Sequence, residues 1–330
     1  MPRASAQAQT APIGAPAPVR PGRAHRPLLK WAGGKRQLLP AFRAFYPAAF
    51  HRYYEPFVGS GAVFFDLHAA GRLAGHEARL TDSNADLIGC YEAVRDRPAA
   101  VIAELACLAD AHARDGVACY YAVRERFNGA RLANAGHPAA PALAAMLLYL
   151  NRTGFNGLYR VNQSGTFNVP AGRYANPRIL DEALVRTTSD ALARPGVTLA
   201  LGTFADAVAD AGPGDFVYFD PPYAPLSATS AFGAYTMPRF TAEDQRRLRD
   251  VATDLARRGA HVMVSNSSAP EIEAGYVEAV RARTGLTLWS LPARRAINAR
   301  GRSRGPVREL LLTTLAPRDE GLPDGVERVA

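Results

Sequence analysis

Short apolar runs that break at glycine or proline alternate along the chain with longer stretches in which apolar residues recur every three or four positions. Tyr53–Phe57 reads as a strand ending in a glycine turn, and Ala62–Ala70 as the helix after it. Ala78–Thr81 reads as a second strand, followed by a helix from Asn84. This order predicts a doubly wound α/β sheet with helices on both faces. From about 85 to 151 the pattern turns helical, and Leu143, Met146, Leu147 and Leu150 share one face of the last helix. Leu158–Val161 and Thr166–Val169, joined by Asn162-Gln163-Ser164-Gly165, predict a β-hairpin. Strand–helix alternation then returns. Thr198–Leu201, Phe216–Phe219 and His261–Ser265 are predicted strands, and Thr241 is placed to cap a helix that carries Leu248, Val251, Ala252 and Leu255 and stops before Gly259. Thr287–Leu291 and Leu310–Thr314 suit a closing antiparallel pair.

The change of period divides the chain. Residues 27–85 and 181–316 are expected to form one discontinuous α/β domain, interrupted at 86–180 by an inserted helical module with its hairpin. Residues 1–26, rich in Ala, Pro and Arg, suit a disordered N-terminal extension, and 317–330 a C-terminal tail.

Charge narrows the range of partners. The formal net charge is +9, and Arg281 to Arg308 carries eight arginines without an acid. Such a surface favours a polyanion, nucleic acid above all. Three cysteines at irregular spacing suit free thiols, and seven scattered histidines give no metal-ligand pattern. The longest apolar run, Leu143 to Leu150, is too short to span a bilayer. No metal and no membrane are therefore expected.

Two motifs carry chemistry. In Tyr54-Glu55-Pro56-Phe57-Val58-Gly59-Ser60-Gly61, two glycines one residue apart allow a tight turn and close approach of a ligand to the backbone. Position 64 is Phe rather than the third glycine of a dinucleotide fingerprint, which leaves a nucleoside-bearing ligand without a pyrophosphate. Asp82, at the end of the second strand, is placed for ribose hydroxyls. Lys30-Trp31-Ala32-Gly33-Gly34-Lys35 opens the domain with two lysines, an indole and a glycine pair. The second motif, Asp220-Pro221-Pro222-Tyr223, directly follows an apolar strand. Its prolines stiffen the chain, so that the Asp220 carboxylate and the Pro221 carbonyl can grip the N–H groups of an exocyclic amine. Two acceptors there favour a tetrahedral nitrogen and stabilise the positive charge that develops on it during transfer. Tyr223 could stack on a base rotated out of a duplex.

Together these residues resemble the DNA adenine methylase (Dam) family, the α-group or D12 class of N6-adenine DNA methyltransferases. The resemblance runs from about Pro27 to Leu315 through LKWAGGK at 29–35, EPFVGSGAV at 55–63, TDSNADLI at 81–88, NRTGFNGLYRVNQSGTFNVPAGRY at 151–174, FDPPYAPLSAT at 219–229 and Ser265-Asn266. It implies a Rossmann-like mixed sheet, S-adenosyl-L-methionine as cofactor and double-stranded DNA as substrate. Trp31, Lys35, Phe57, Gly59, Gly61, Asp82, Thr203, Phe204 and Asp220 would line the cofactor pocket, and Asp220, Pro221, Pro222 and Tyr223 would hold the target adenine.

By the same resemblance, residues 86–180 form the target-recognition domain. Phe155 and Asn156 would wedge into the opened duplex. Arg160 would pair with guanine O6 and N7, Leu158 and Pro170 would meet a thymine methyl, and Lys30 would read a second guanine. Tyr174 would join this DNA-binding set. These identities resemble those of GATC-reading members. Arg294, Arg295, Arg300, Arg302 and Arg304 match a late basic loop that would contact phosphates. A monomeric, cytoplasmic, DNA-associated enzyme is expected, acting alone or beside a restriction enzyme. The N-terminal extension has no family counterpart, and positions 129–141 are unusually rich in Ala and Gly. Three alternatives differ in chemistry. Cytosine-N4 methylation usually has Ser where Asp220 stands, and protein-glutamine methylation usually has Asn. An inactive DNA-binding regulator would keep the fold without needing an intact Asp220–Tyr223.

Overall fold

The computed structural model describes residues 26–133, 139–223, 240–294, 306–318 and 322–330. Five strands lie parallel: β1 (Arg52–Glu55), β2 (Glu77–Asp82), β3 (Val197–Leu201), β4 (Phe216–Phe219) and β5 (His261–Ser267). The closing pair, β6 (Thr287–Arg294) and β7 (Pro306–Thr313), is antiparallel, with β7 against β5. A last short strand, β8 (Glu327–Arg328), which the residue pattern does not foretell, pairs with β6. The sheet order is β3-β2-β1-β4-β5-β7-β6-β8. This is the mixed α/β sheet expected.

Both faces of the sheet are covered. Along β4, Phe216 and Tyr218 join one apolar cluster while Val217 and Phe219 join the other. Successive side chains of a strand point to opposite faces, so a strand buried on both must be apolar throughout. On the second face lie α9 (Ala242–Arg257) and α10 (Pro270–Arg281). Thr241 caps α9 in a reciprocal box with Asp244, as its sequence suggests. The helix Pro270–Arg281 is absent from the sequence reading, although Pro270 at its first turn and the acids Glu271 and Glu273 are start signals.

Between β2 and β3 the chain forms α3 (Ala85–Asp96), α4 (Pro98–Asp115), α5 (Val117–Ala133), α6 (Pro141–Thr153) and α7 (Glu182–Leu192). Buried residues Leu143 to Leu150 place α6 at the centre of this group. Gly34 precedes a 3₁₀ turn, Lys35–Gln37, that leads into α1 (Leu39–Phe45). The helix after the glycine turn is α2 (Ala62–Ala69), and a one-turn α8 (Phe204–Ala207) follows β3.

Two expectations need correction. The first strand stops at Glu55 rather than Phe57, because Pro56 has no N–H to donate to a ladder. The hairpin at 158–169 forms, but is narrower than two full strands: Asn162 N donates to Thr166 O at 2.9 Å and Asn168 N to Arg160 O at 3.1 Å around the isolated bridge Val161↔Phe167, with a second bridge at Gly154↔Ala171. Side chains of α5 satisfy backbone groups on the outer edge of the second limb. Asn128 accepts from Phe167 N and donates to Phe167 O, at 2.8 and 3.0 Å. Tyr120 and Arg124 both donate to Val169 O. The expected N-terminal extension, up to residue 25, lies outside the described residues.

Candidate active site

From β1 the chain winds outward through β2 and β3 in one direction, and later through β5 in the other, so the winding reverses between β1 and β4. Ligands of open α/β sheets bind beyond the strand ends at such a reversal. Tyr53 pairs with Phe216 and Tyr54 with Val217, so the two motif loops leave neighbouring parallel strands side by side.

The loop after β1 is a tight turn in which Gly61 N donates to Val58 O at 2.6 Å. Gly59 and Gly61 have φ of +45° and +65°, in the left-handed region. A Cβ on Gly59 would lie 2.9 Å from Trp31 Cδ1, and one on Gly61 2.8 Å from Phe65 Cε2. Asp82 fixes the turn from the neighbouring strand: Gly59 N donates to its Oδ2 at 3.1 Å and Asn84 N to its Oδ1 at 3.0 Å. Each carboxylate oxygen keeps a further lone pair, so this clamp is compatible with accepting ribose hydroxyls. Burial raises the Asp82 pKa, against the pull of those backbone donors. Phe57 and Phe204 stack at 5.4 Å, with Phe240 edge-on to Phe57. Thr203 caps α8 by accepting from Asp206 N, and Trp31 stacks on Tyr159 at 5.7 Å.

Beyond β4, Asp220 meets the buried Lys35, whose Nζ donates to Oδ1 at 2.5 Å. The same ammonium donates to Gly33 O at 2.7 Å and lies 3.5 Å from Glu309 Oε1. Ser265 Oγ makes a long contact of 3.4 Å to Asp220 Oδ1. Burial raises the Asp220 pKa, while Lys35 and Ser265 favour the carboxylate. The Pro222 carbonyl accepts from Gln245 Nε2 at 3.1 Å, and Gln245 Oε1 accepts from Asn266 Nδ2 at 2.9 Å. The tetrapeptide is thus tied to α9 and β5 as well as stiffened by its prolines. The Tyr223 hydroxyl donates to Glu309, and Lys35 Nζ lies 4.6 Å from the centre of its ring.

The predicted DNA-reading residues gather where the insertion meets the start of the domain. The Asn151 carboxamide accepts from Lys30 N at 2.8 Å and donates to Lys30 O and Gly157 O at 2.7 and 2.9 Å. Lys30 Nζ sits 4.6 Å from the centre of the Tyr174 ring. Phe155 N donates to Pro170 O, which brings the proposed wedge to the second limb of the loop. Phe155 and Tyr174 are 45% and 38% exposed, and Asn156 adopts φ +54°. Leu158 packs partly buried against the core. Arg160 Nε donates to Asn168 Oδ1 at 2.7 Å and Nη2 to Asn168 O at 3.3 Å. Arg295, Arg300, Arg302 and Arg304 lie outside the described residues, as does the FDPPYAPLSAT motif beyond Tyr223.

Residues 31–286 match the model of the D12 class N6 adenine-specific DNA methyltransferases. The chain belongs to this family. It is 40% identical over 289 residues to the Type II methyltransferase M1.LlaDCHI of Lactococcus lactis subsp. cremoris, covering 87% of this chain and 95% of that one. It is 38% identical over 293 residues to the Type II methyltransferase M.MjaIII of Methanocaldococcus jannaschii, covering 84% and 95%. Similarity to the DNA adenine methylase of Escherichia coli (strain K12) is 35% over 287 residues, covering 87% and 94%.

Three parts of this adenine methyltransferase's site escape the sequence reading. Glu55, buried beneath the glycine turn, accepts from Tyr53 Oη at 2.8 Å and Phe64 N at 3.1 Å. Burial, with the nearby charges of Asp220 and Asp82, pushes its carboxyl up to about 8. Gln245 lies on a helix where it reads as a surface residue, yet it is buried against Pro222. Glu309 is an acid within an apolar strand, and that misfit is the one signal that could have found it. Lys35, expected only as a lining of the cofactor pocket, holds the Asp220 carboxylate itself.

Proposed function

We propose that this enzyme transfers the methyl group of S-adenosyl-L-methionine to N6 of an adenine rotated out of a short duplex site, GATC. The observation that carries the reading is the juxtaposition of the Gly59–Gly61 turn after β1 with Asp220–Tyr223 after β4, at the reversal of the sheet. The donor set suits the cofactor. Asp82 offers acceptors for ribose hydroxyls, Phe57, Phe204 and Trp31 offer apolar faces for a purine, and Asp220 is an acid suited to stand near a sulfonium. Lys35, Gly59, Gly61 and Thr203 complete that lining. When bound, the cofactor supplies an electrophilic methyl group.

The protein's own part is to hold the amine. Asp220, kept as a carboxylate by Lys35, accepts an N6–H, and the Pro221 carbonyl accepts the other. This draws the nitrogen lone pair out of conjugation and steadies the positive charge as it forms. Asp220 therefore acts as an acceptor during transfer, and the amine loses its extra proton afterwards. Tyr223, 37% exposed and anchored through its hydroxyl, stacks on the rotated base, while Pro222 stiffens the loop.

Residues 27–85 and 181–316 form the catalytic domain in this reading, 86–180 the target-recognition domain, 1–26 the extension, and 317–330 a tail whose β8 joins the catalytic sheet beside β6. Phe155 and Asn156 fill the space left in the duplex. Arg160, braced by Asn168, presents its outer N–H groups to guanine O6 and N7, and Leu158 and Pro170 meet the thymine methyl. Lys30, steadied by Asn151 and Tyr174, reads the second guanine. Arg295 and Arg302 contact phosphates. The enzyme works as a monomer in the cytoplasm, where DNA is at hand. Asp220→Ala should abolish methyl transfer and leave duplex binding within about threefold of wild type, since in the DNA the residue meets only the rotated base. Near-normal turnover by that variant would overturn the assignment.

A further inference from the structure

We propose that Glu309 is a positioning residue for methyl transfer: from β7 it fixes Tyr223 and Lys35, and through them the stacked base and the Asp220 carboxylate. The inference rests on the reading of Tyr223 as the base-stacking residue.

Glu309 faces Ser267 of β5 and Leu291 of β6 in the antiparallel part of the sheet, and Leu310 to Leu312 after it fill the core. A buried carboxylate is costly unless it is paired and hydrogen-bonded. Here one oxygen serves two partners. Glu309 Oε1 accepts from the Tyr223 hydroxyl and lies 3.5 Å from Lys35 Nζ, which in turn is 2.5 Å from Asp220 Oδ1. Lys35 also lies 4.6 Å from the centre of the Tyr223 ring. Tyr223, Glu309, Lys35 and Asp220 therefore close a ring of contacts, and the chain from Asp220 to Tyr223 completes it.

This arrangement does two things. The phenol is tethered at its far end while its ring stays 37% exposed, so the stacking surface is aimed before the base arrives. The one ammonium is shared between two carboxylates, so the ionised set carries one net negative charge. That sign favours positive charge developing on the amine.

Burial pushes the Glu309 carboxyl up to about 7, against the pull of Lys35 and the Tyr223 bond, with Asp220 adding to the rise. Tyr218 of β4 and Tyr276 of α10 also feel its charge. Its ionisation therefore falls in the neutral range, where it can be followed in a rate profile.

The test uses the full-length enzyme, S-adenosyl-L-methionine and a GATC duplex, with wild type, Glu309→Gln, Tyr223→Phe and the double variant assayed from pH 6 to 9. Glu309→Gln should lower kcat about 10- to 100-fold and change the cofactor KM less than about threefold, the loss expected for one charged partner of a hydrogen bond. The fall in wild-type kcat below pH 7 should vanish in Glu309→Gln, which a merely structural role would leave in place. The double variant should be no slower than the slower single variant by more than about threefold, because both remove one linkage. A kcat within threefold of wild type, an acid limb that persists, or multiplying losses would overturn the proposal. Should Glu309→Gln not fold, Tyr223→Phe removes the same bond from the other side, and unchanged kcat there would overturn it equally. Tyr223→Ala separates the two levels. If that variant is fully active, the stacking role itself fails. If it is inactive while Glu309→Gln is fully active, only the role of Glu309 fails.

Discussion

Replacing Lys35 by Met tests the electrostatics of the site at a buried cation. The ammonium is 2% exposed and lies 2.5 Å from Asp220 and 3.5 Å from Glu309. With an effective dielectric of ~20, these separations correspond to gross attractions of about 7 and about 5 kcal/mol. Most of that offsets the cost of removing three charges from water, so the net effect of breaking the group is nearer 3–5 kcal/mol, roughly the usual cost of leaving a buried charge unpaired. Methionine fills a similar volume, which limits any cavity contribution. The loss should depend on pH, and the direction follows from the carboxyls. Glu309 is already raised to about 7 from an ordinary 4.5. A folded acid with a raised pKa contributes most at low pH, and that contribution is lost as pH rises from the unfolded value through the folded one. Without Lys35 the Asp220 and Glu309 values rise further, so the window of loss extends to higher pH. The variant should therefore fall furthest behind wild type near pH 8.5 and recover part of the gap at pH 6. Urea unfolding read by tryptophan fluorescence would follow this, since Trp31 stands at the site and Trp289 packs against the core. A gap under about 1 kcal/mol at pH 8.5, the size of an exposed pair, would refute the reasoning, and so would a gap independent of pH.

Two further substitutions probe other parts of the account. Glu55→Gln should flatten the pH dependence of stability: wild type loses on the order of 5 kcal/mol between pH 4.5 and about 8 as the unfolded chain releases a proton that the folded chain keeps. Equal slopes in urea midpoints for the two proteins would show that Glu55 is not the buried acid described. Arg160→Ala should relax discrimination at one guanine by about 1–3 kcal/mol while leaving kcat on the preferred site within about tenfold, as judged from single-base variants of the duplex. Unchanged selectivity would remove Arg160 from the reading set.

The α/β frame was legible because its strands are short apolar runs set off by glycine turns and helices, and periodicity records burial directly. Asp220 was legible because it follows such a run and two prolines leave its loop little freedom. The hairpin is legible as a reversal but its width is not: strand-like alternation over Leu158–Val169 does not say how far the two limbs stay paired. Here they pair only around Val161 and Phe167, and Asn128, Tyr120 and Arg124 of α5 hold the outer edge. Gln245 is invisible in the sequence, and Glu309 shows there only as a misfit in an apolar strand, for a related reason. Each reaches the tetrapeptide only after β7 and α9 are docked beside β5, and a single sequence does not encode that proximity in any local pattern. Asp82 was placed correctly at a strand end, but its grip on Gly59 N depends on the lateral pairing of β1 with β2.

The central claim is that this family member methylates adenine N6 in a GATC duplex at the expense of S-adenosyl-L-methionine. It is tested most directly by incubating the purified full-length protein with methyl-labelled S-adenosyl-L-methionine and a GATC duplex, beside a duplex of scrambled sequence, then digesting the DNA and identifying the labelled nucleoside. The account predicts label on N6-methyladenine from the GATC duplex alone. Label on cytosine, equal label on both duplexes, or none on either while the protein binds DNA tightly would contradict it.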